Sequence, residues 1–130
     1  MDNYLASQPL AATRIVDLTH GIAGPYCTKL LADYGADVIK VERPLIGDYA
    51  RGIGPFPNDV NNPETSGIFL FLNTNKRSLT LDLNNASDSE FLRQLISEAD
   101  ILVENFKPGQ MRKWGLGYEE LSKANPNLIM

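Results

Sequence analysis

The chain is short of cysteine, histidine and positive charge, and each shortage excludes something. It holds one cysteine, Cys27, and one histidine, His20, among 130 residues. A lone cysteine cannot close an internal disulfide. The opening Met1-Asp2-Asn3-Tyr4 has neither a basic start nor an apolar core of the secretory type. Together these point to a reducing, cytoplasmic setting. So few sulfur and imidazole ligands also make a zinc site a poor expectation, and no metal is expected. No apolar run approaches the ~20 residues that span a bilayer, so no membrane partner is expected. Lys and Arg number 12 against 16 Asp and Glu, for a net charge of -4. Such a chain lacks the basic face that follows a phosphate backbone, which argues against nucleic acid as a partner. A small anionic ligand stays open, because a few local Arg or Lys residues suffice for it.

What is present is ordinary globular composition, 43% apolar. One domain fits the length, and it buries about two thirds of the surface the unfolded chain exposes. Residues 1–12 are polar and aperiodic and read as a flexible N-terminal arm. Ile15-Val16-Asp17-Leu18 reads as a buried strand. A helix follows from about Pro25 to Tyr34, with Leu30 and Leu31 inward and Gly35 as its stop. Val38-Ile39-Lys40-Val41 is a second strand. A long irregular stretch, 45–66, then precedes an apolar run at 68–72 that reads as a short buried helix, with a strand as the alternative. Ser78 to Leu83 is a third strand. Ser87 and Glu90 have the spacing of a capping box before a helix whose apolar face is Phe91, Leu92, Leu95, Ile96 and Ala99. Ile101-Leu102-Val103 is a fourth strand, two short helices lie at 111–114 and 118–124, and Leu128-Ile129-Met130 is a fifth strand. The alternation predicts an α/β fold: a Rossmann-like, doubly wound, mainly parallel sheet with helices on both faces. Ending inside an apolar strand suggests a fragment, or a split chain awaiting its other half.

In such a sheet, ligands bind beyond the carboxyl ends of the strands. The loop Thr19-His20-Gly21-Ile22-Ala23-Gly24-Pro25 lies there and leads into a helix start suited to anions. It reads equally as a tight strand-to-helix turn. Its Gly21-x-x-Gly24 spacing departs from the dinucleotide fingerprint, although Glu42 stands where a ribose-binding acid would. A cationic group, Arg43, Arg51, Lys76, Arg77, Lys107, Arg112 and Lys113, clusters partly at strand ends. Lys76 and Arg77 precede the third strand, so they are expected at the opposite edge in a structural role. Phe106, Trp114 and Tyr118 bring aromatic surface to the rim, Trp114 reading mainly as core. Cys27 is expected to pack, His20 to line or support a site, and Asp17 to bond neighbouring loops. No Ser-His-Asp set and no paired carboxylates can be assembled.

Longer stretches carry a resemblance. Asp17-Leu18-Thr19, Ala23-Gly24-Pro25-Tyr26-Cys27-Thr28 and Leu31 through Glu42 are similar to the opening of the class III CoA-transferases. Asn73 through Leu79, Ala99 through Gly109, Gly115-Leu116-Gly117-Tyr118 and Asn125 through Ile129 follow the family in order and spacing. The likeness runs from about Arg14 to Met130. The family includes formyl-CoA transferase, carnitine-type CoA-transferases and α-methylacyl-CoA racemases.

The resemblance implies that 13–130 is the N-terminal part of a CoA-binding domain in an interlaced homodimer, with acyl-CoA and a carboxylic acid acceptor as partners. Members are much longer than this chain. Their nucleophilic aspartate, which passes through acyl-anhydride and aspartyl-CoA stages, falls beyond Met130, so no catalytic residue is assigned. CoA contacts carry over to Ile22 and Ala23, to Arg43, to Leu81 and Asn84, to Asn105, Phe106 and Lys107, and to Lys113. Some members have lysine at Asn84, and formyl-CoA transferase has arginine at Lys113. Where that enzyme places a glutamine, this chain has Ile22, which argues against formate or oxalate as substrate. The rival readings are an acyl-CoA racemase, a non-catalytic nucleotide-binding module or split subunit, and an NAD-type oxidoreductase.

Overall fold

The computed structural model describes residues 8–130. Four parallel strands form its sheet: β1 (Arg14–Asp17), β2 (Asp37–Glu42), β3 (Arg77–Thr80) and β4 (Ile101–Val103). Their order is β3-β2-β1-β4, with the helices α1 (Ala23–Asp33), α2 (Gly67–Leu72), α3 (Ala86–Ser97), α4 (Gln110–Lys113) and α5 (Tyr118–Ala124) as connections. The chain winds outward from β1 to β3, then returns to the other side of β1. The strand order therefore reverses between β1 and β4, where a doubly wound sheet opens a crevice at its carboxyl edge.

Successive side chains on a strand point to opposite faces, and here the two faces differ. Val16, Leu18, Val41 and Leu102 join Leu92, Ile96, Leu116, Leu121 and Leu128 in the larger core, beneath α3 and α5. Ile15 and Val38 join Ala32 and Ala36 in a smaller core beneath α1. Covering on both faces explains why β1 and β2 are buried at every position but their first.

Several details differ from the sequence reading. In α1 the buried positions are Pro25, Thr28 and Ala32, while Leu30 is 40% exposed. Cys27 is exposed rather than packed. At Thr28 the inner side of α1 meets the Asp17 carboxylate, where a small hydroxyl residue fits better than leucine, while Ala32 packs in the smaller core. The cap of α3 is Asn85, whose side chain accepts from Ser87 N–H at 2.9 Å. Glu90 turns instead to Arg93, at 3.2 Å, so the expected capping box is absent. The run 128–130 makes one parallel bridge, Ile101 to Ile129, rather than a full strand.

The short helix at 68–72 is present as α2, capped by Ser66. The long loop before it contains two single-turn 3-10 helices, Tyr49–Gly52 and Pro57–Asp59. It is tied down: Arg51 meets both carboxylate oxygens of Glu42 at 2.8 Å, and its guanidinium lies 3.7 Å from the centre of the Phe69 ring. Of the expected arm, 1–7 lies outside the described residues. Gln8 to Ala12 form a turn, in which Leu10 N–H donates to Tyr34 C=O at 3.0 Å. Among the described residues, no helix is long and apolar enough to cross a membrane.

Candidate functional site

At the carboxyl edge of β1, β2 and β3 the chain forms a crevice with an apolar floor of Leu18, Val41, Leu81 and Leu83. Its rim carries Arg43 and Asn84, and its walls are His20, Phe106 and Trp114. The rings form a connected wall. His20 and Phe106 have centroids 5.6 Å apart, and Trp114 meets Phe106 edge-on at 5.0 Å and 85°. Trp114 Nε1 donates to Asn84 Oδ1 at 3.2 Å, which ties the α4 end to the segment after β3. Trp114 thus packs against the core, as read from sequence, and also faces the crevice.

The turn after β4 shapes this wall. Phe106 N–H donates to Glu104 Oε2 at 2.7 Å, which bends the chain and turns the ring inward. Asn105 reaches across to the β1–α1 loop: its Oδ1 accepts from His20 N–H at 2.9 Å and its Nδ2 donates to His20 C=O at 2.8 Å. His20 Nδ1 is buried with no hydrogen-bond partner among the described residues. Burial, and next the nearby Lys40 charge, push the His20 pKa below its ordinary value, so the ring is neutral near pH 7.

The positions carried over from the resemblance divide into groups. Arg43, Leu81, Asn84 and Phe106 line the one crevice. Asn105 holds its wall through His20. Lys113 lies in the adjoining hollow with Asn84 and Trp114. Lys107 faces another hollow, with Glu104, Arg112 and Tyr118. Ile22 and Ala23 stand at the start of α1, where no side chain caps the helix, and Ile22 is 54% exposed.

Pairing sorts the cations further. Of the 12 Lys and Arg, nine meet a carboxylate within 4 Å. Arg51 binds Glu42, Arg77 binds Asp37 and Arg112 binds Glu119. Lys76 is buried. It reaches from the start of β3 to Asp17 at 2.9 Å and donates also to Pro25 C=O and Asn73 Oδ1. Its role is structural, as expected, but at the end of β1 rather than the opposite edge. Among the described residues, the three cations without a carboxylate partner are Arg43, Lys107 and Lys113. Among the described residues, these are the side chains that offer an anionic ligand uncompensated positive charge.

The glycines of the β1–α1 loop serve packing. Gly21 has a φ of +84°, and a Cβ there would strike the Tyr49 ring; one at Gly24 would strike the Thr19 side chain. That favours the tight-turn reading of these two residues. Sequence reasoning missed Asp48, whose Oδ1 accepts from Gly21 N–H at 2.8 Å across 27 residues of chain. Only its Gly-Asp setting in an irregular loop hinted at a turn residue.

The model of CoA-transferase family III matches residues 10–130. Over 116 residues the chain is 52% identical to the succinyl-CoA:mesaconate CoA-transferase of Haloarcula hispanica, covering 89% of this chain and 29% of that protein. Over 124 residues it is 47% identical to the formyl-CoA:oxalate CoA-transferase of Bradyrhizobium diazoefficiens, covering 95% of this chain and 28% of that one. It superposes on a CAIB/BAIF family protein of Brucella suis with a TM-score of 0.84 at 41% identity, over 94% of this chain and 32% of the other. The chain thus spans under a third of the length of each of these proteins. With its sheet, its crevice and this similarity, the chain belongs to CoA-transferase family III.

Proposed function

We propose that this chain forms the CoA-binding part of an enzyme that transfers CoA between carboxylic acids. One observation carries the reading. Among the described residues, the cations left without a carboxylate are Arg43, Lys107 and Lys113, and all three are positions to which the family resemblance carries a CoA contact. CoA is a polyanion with an adenine at one end. A crevice with an apolar floor, an aromatic wall and arginine at its rim suits that end. Arg43 supplies a planar set of donors for phosphate oxygens.

The catalytic step then belongs to an aspartate beyond Met130. Its carboxylate attacks the thioester carbonyl, and the CoA thiolate leaves, giving a mixed anhydride. The thiolate next attacks the aspartyl carbonyl and releases the donor acid as its carboxylate. The acceptor carboxylate attacks the aspartyl thioester, and the returning thiolate completes the new acyl-CoA and restores the aspartate. Short carboxylic acids are the proposed substrates, by analogy with the relatives. Ile22 in place of a polar side chain argues against formate and oxalate among them. The enzyme acts as an interlaced homodimer in the cytoplasm.

Calorimetric titration with CoA and with NAD tests the binding part. CoA is expected to bind, and a preference for NAD overturns the reading. Incubating the protein with an acyl-CoA and a second carboxylic acid tests the reaction. A new CoA thioester in the mass spectrum is expected. Scrambled configuration at the α-carbon with no new thioester would instead make it a racemase.

A further inference from the structure

The β1–α1 loop has its backbone bonded almost entirely to side chains. Thr19 N–H donates to Asp17 Oδ1 at 2.9 Å, and Thr19 C=O accepts from Lys40 Nζ. His20 is clasped on both sides by Asn105. Gly21 N–H donates to Asp48 Oδ1, while Asp48 Oδ2 accepts from Lys40 Nζ at 2.8 Å. Lys40 and Asp48 are 2% and 0% exposed. A buried ion pair of this kind is weak support for stability, because an apolar pair of similar volume often does as well. What an apolar pair cannot do is give a donor to Thr19 C=O and an acceptor to Gly21 N–H at once.

The His20 ring depends on that backbone. Its Nδ1 lies 4.0 Å from Asp48 Oδ2, too far for a hydrogen bond. The ring is placed by the loop beneath it and by Phe106 beside it.

We propose that Lys40 and Asp48 are positioning residues, which hold the Thr19–Gly21 loop and through it set His20 beside Phe106 in the aromatic wall of the crevice. This rests on the crevice being the CoA site. The pair itself touches no ligand.

His20 is the one histidine, so its ring signals in proton NMR form an unambiguous probe. The charges around it are Lys40 and Arg43, which lower its pKa, and Asp48 and Glu42, which raise it. Lys40→Met and Asp48→Asn are titrated beside the unaltered protein. If the pair holds the loop, each folded variant releases it, the His20 ring loses its burial, and both Lys40→Met and Asp48→Asn move His20 upward. If the loop keeps its place without the pair, only the charges change, and the two variants shift His20 in opposite directions, Lys40→Met upward and Asp48→Asn downward. Opposed shifts overturn the proposal.

Calorimetry with CoA adds the functional arm. Each variant is expected to weaken binding on the order of tenfold, as for a displaced positioning group. Should a single variant fail to fold, Lys40→Met/Asp48→Leu removes both charges and leaves no buried ion alone. A double variant that keeps its melting temperature and loses CoA affinity supports the proposal; one that keeps both overturns it. Should the unaltered protein bind no CoA, the crevice reading fails, and the direction of the His20 shift in Asp48→Asn still decides whether the pair sets the ring.

Discussion

Leu18 and Asp17 are neighbours in the chain, as are Val41 and Lys40, yet each pair divides between two different environments. Leu18 and Val41 face the crevice and the large apolar core. Asp17 and Lys40 face α1 and the long loop, where they join Thr28, Lys76 and Asp48 in a buried ionic layer. The two are the front and back of the same strand ends. The difference teaches how this fold separates holding from binding. Charges in the ionic layer are compensated inside the protein, so they fix loops and offer little to a ligand. Among the described residues, the cations without a carboxylate partner are exposed, Arg43 and Lys107 on loops and Lys113 at the end of α4.

Asp17→Ala should break this comparison most severely. Asp17 accepts from Thr19 N–H, from the Thr19 and Thr28 hydroxyls and from Lys76 Nζ. Removing it strands a buried ammonium and several donors. The expected loss is roughly 3–5 kcal/mol, read as a lower midpoint in urea unfolding. Burial pushes the Lys76 pKa down and Asp17 opposes it, so the variant also makes that lysine easier to deprotonate.

Arg43→Ala probes the other side. Arg43 is exposed and makes no ion pair among the described residues, so stability should stay within about 0.5 kcal/mol. CoA affinity should fall by about 1.5–3 kcal/mol, the worth of a hydrogen bond to a charged group. Calorimetry and urea unfolding on the same variant check both halves. An Arg43 variant that lost stability and kept its affinity would reverse the assignment of rim and layer.

The strand and helix order, the parallel sheet and the short α2 were all legible, because they follow from apolar runs, glycine stops and alternation. Arg43, Leu81, Asn84 and Phe106 were named through the resemblance, and all four line one crevice. The ionic layer was not. Hydropathy assigns lysine and aspartate to the surface, and Lys40 sits within a strand whose neighbours Ile39 and Val41 are apolar. Its partner Asp48 comes from an irregular loop, and the third member, Gly21, lies 27 residues earlier. Local pattern carries no trace of such a contact. The same layer explains the misplaced face of α1, since Thr28 is turned inward by its hydroxyl bond to Asp17 at 2.6 Å. Asn85 displaced Ser87 as the cap because Asn85 Oδ1 accepts from the Ser87 N–H at 2.9 Å and from the Ser87 hydroxyl at 2.8 Å, so the serine is already inside the helix.

His20 sits between the two regions, and pH gives the mildest way to sharpen their difference. Burial and the Lys40 charge depress its pKa in the folded chain, so as pH falls through the ordinary value of 6.5 the unfolded chain takes up the proton first. Stability is therefore whole above 6.5 and declines below it, until the folded ring is protonated as well. Asp48 and Glu42 act lower on the scale. Burial works to raise both carboxyls, but the bonds from Lys40 and Arg51 and from backbone N–H groups leave them below their ordinary 3.8 and 4.5. They hold their contribution above those values and lose it as pH drops through the folded ones. Melting temperature against pH should thus fall in two stages, a shallow one beginning near 6.5 and a further one below 4.5. His20→Asn should remove the first stage and leave the second. A curve that kept its shallow stage in that variant would trace it to some other group and detach His20 from the charges of the ionic layer.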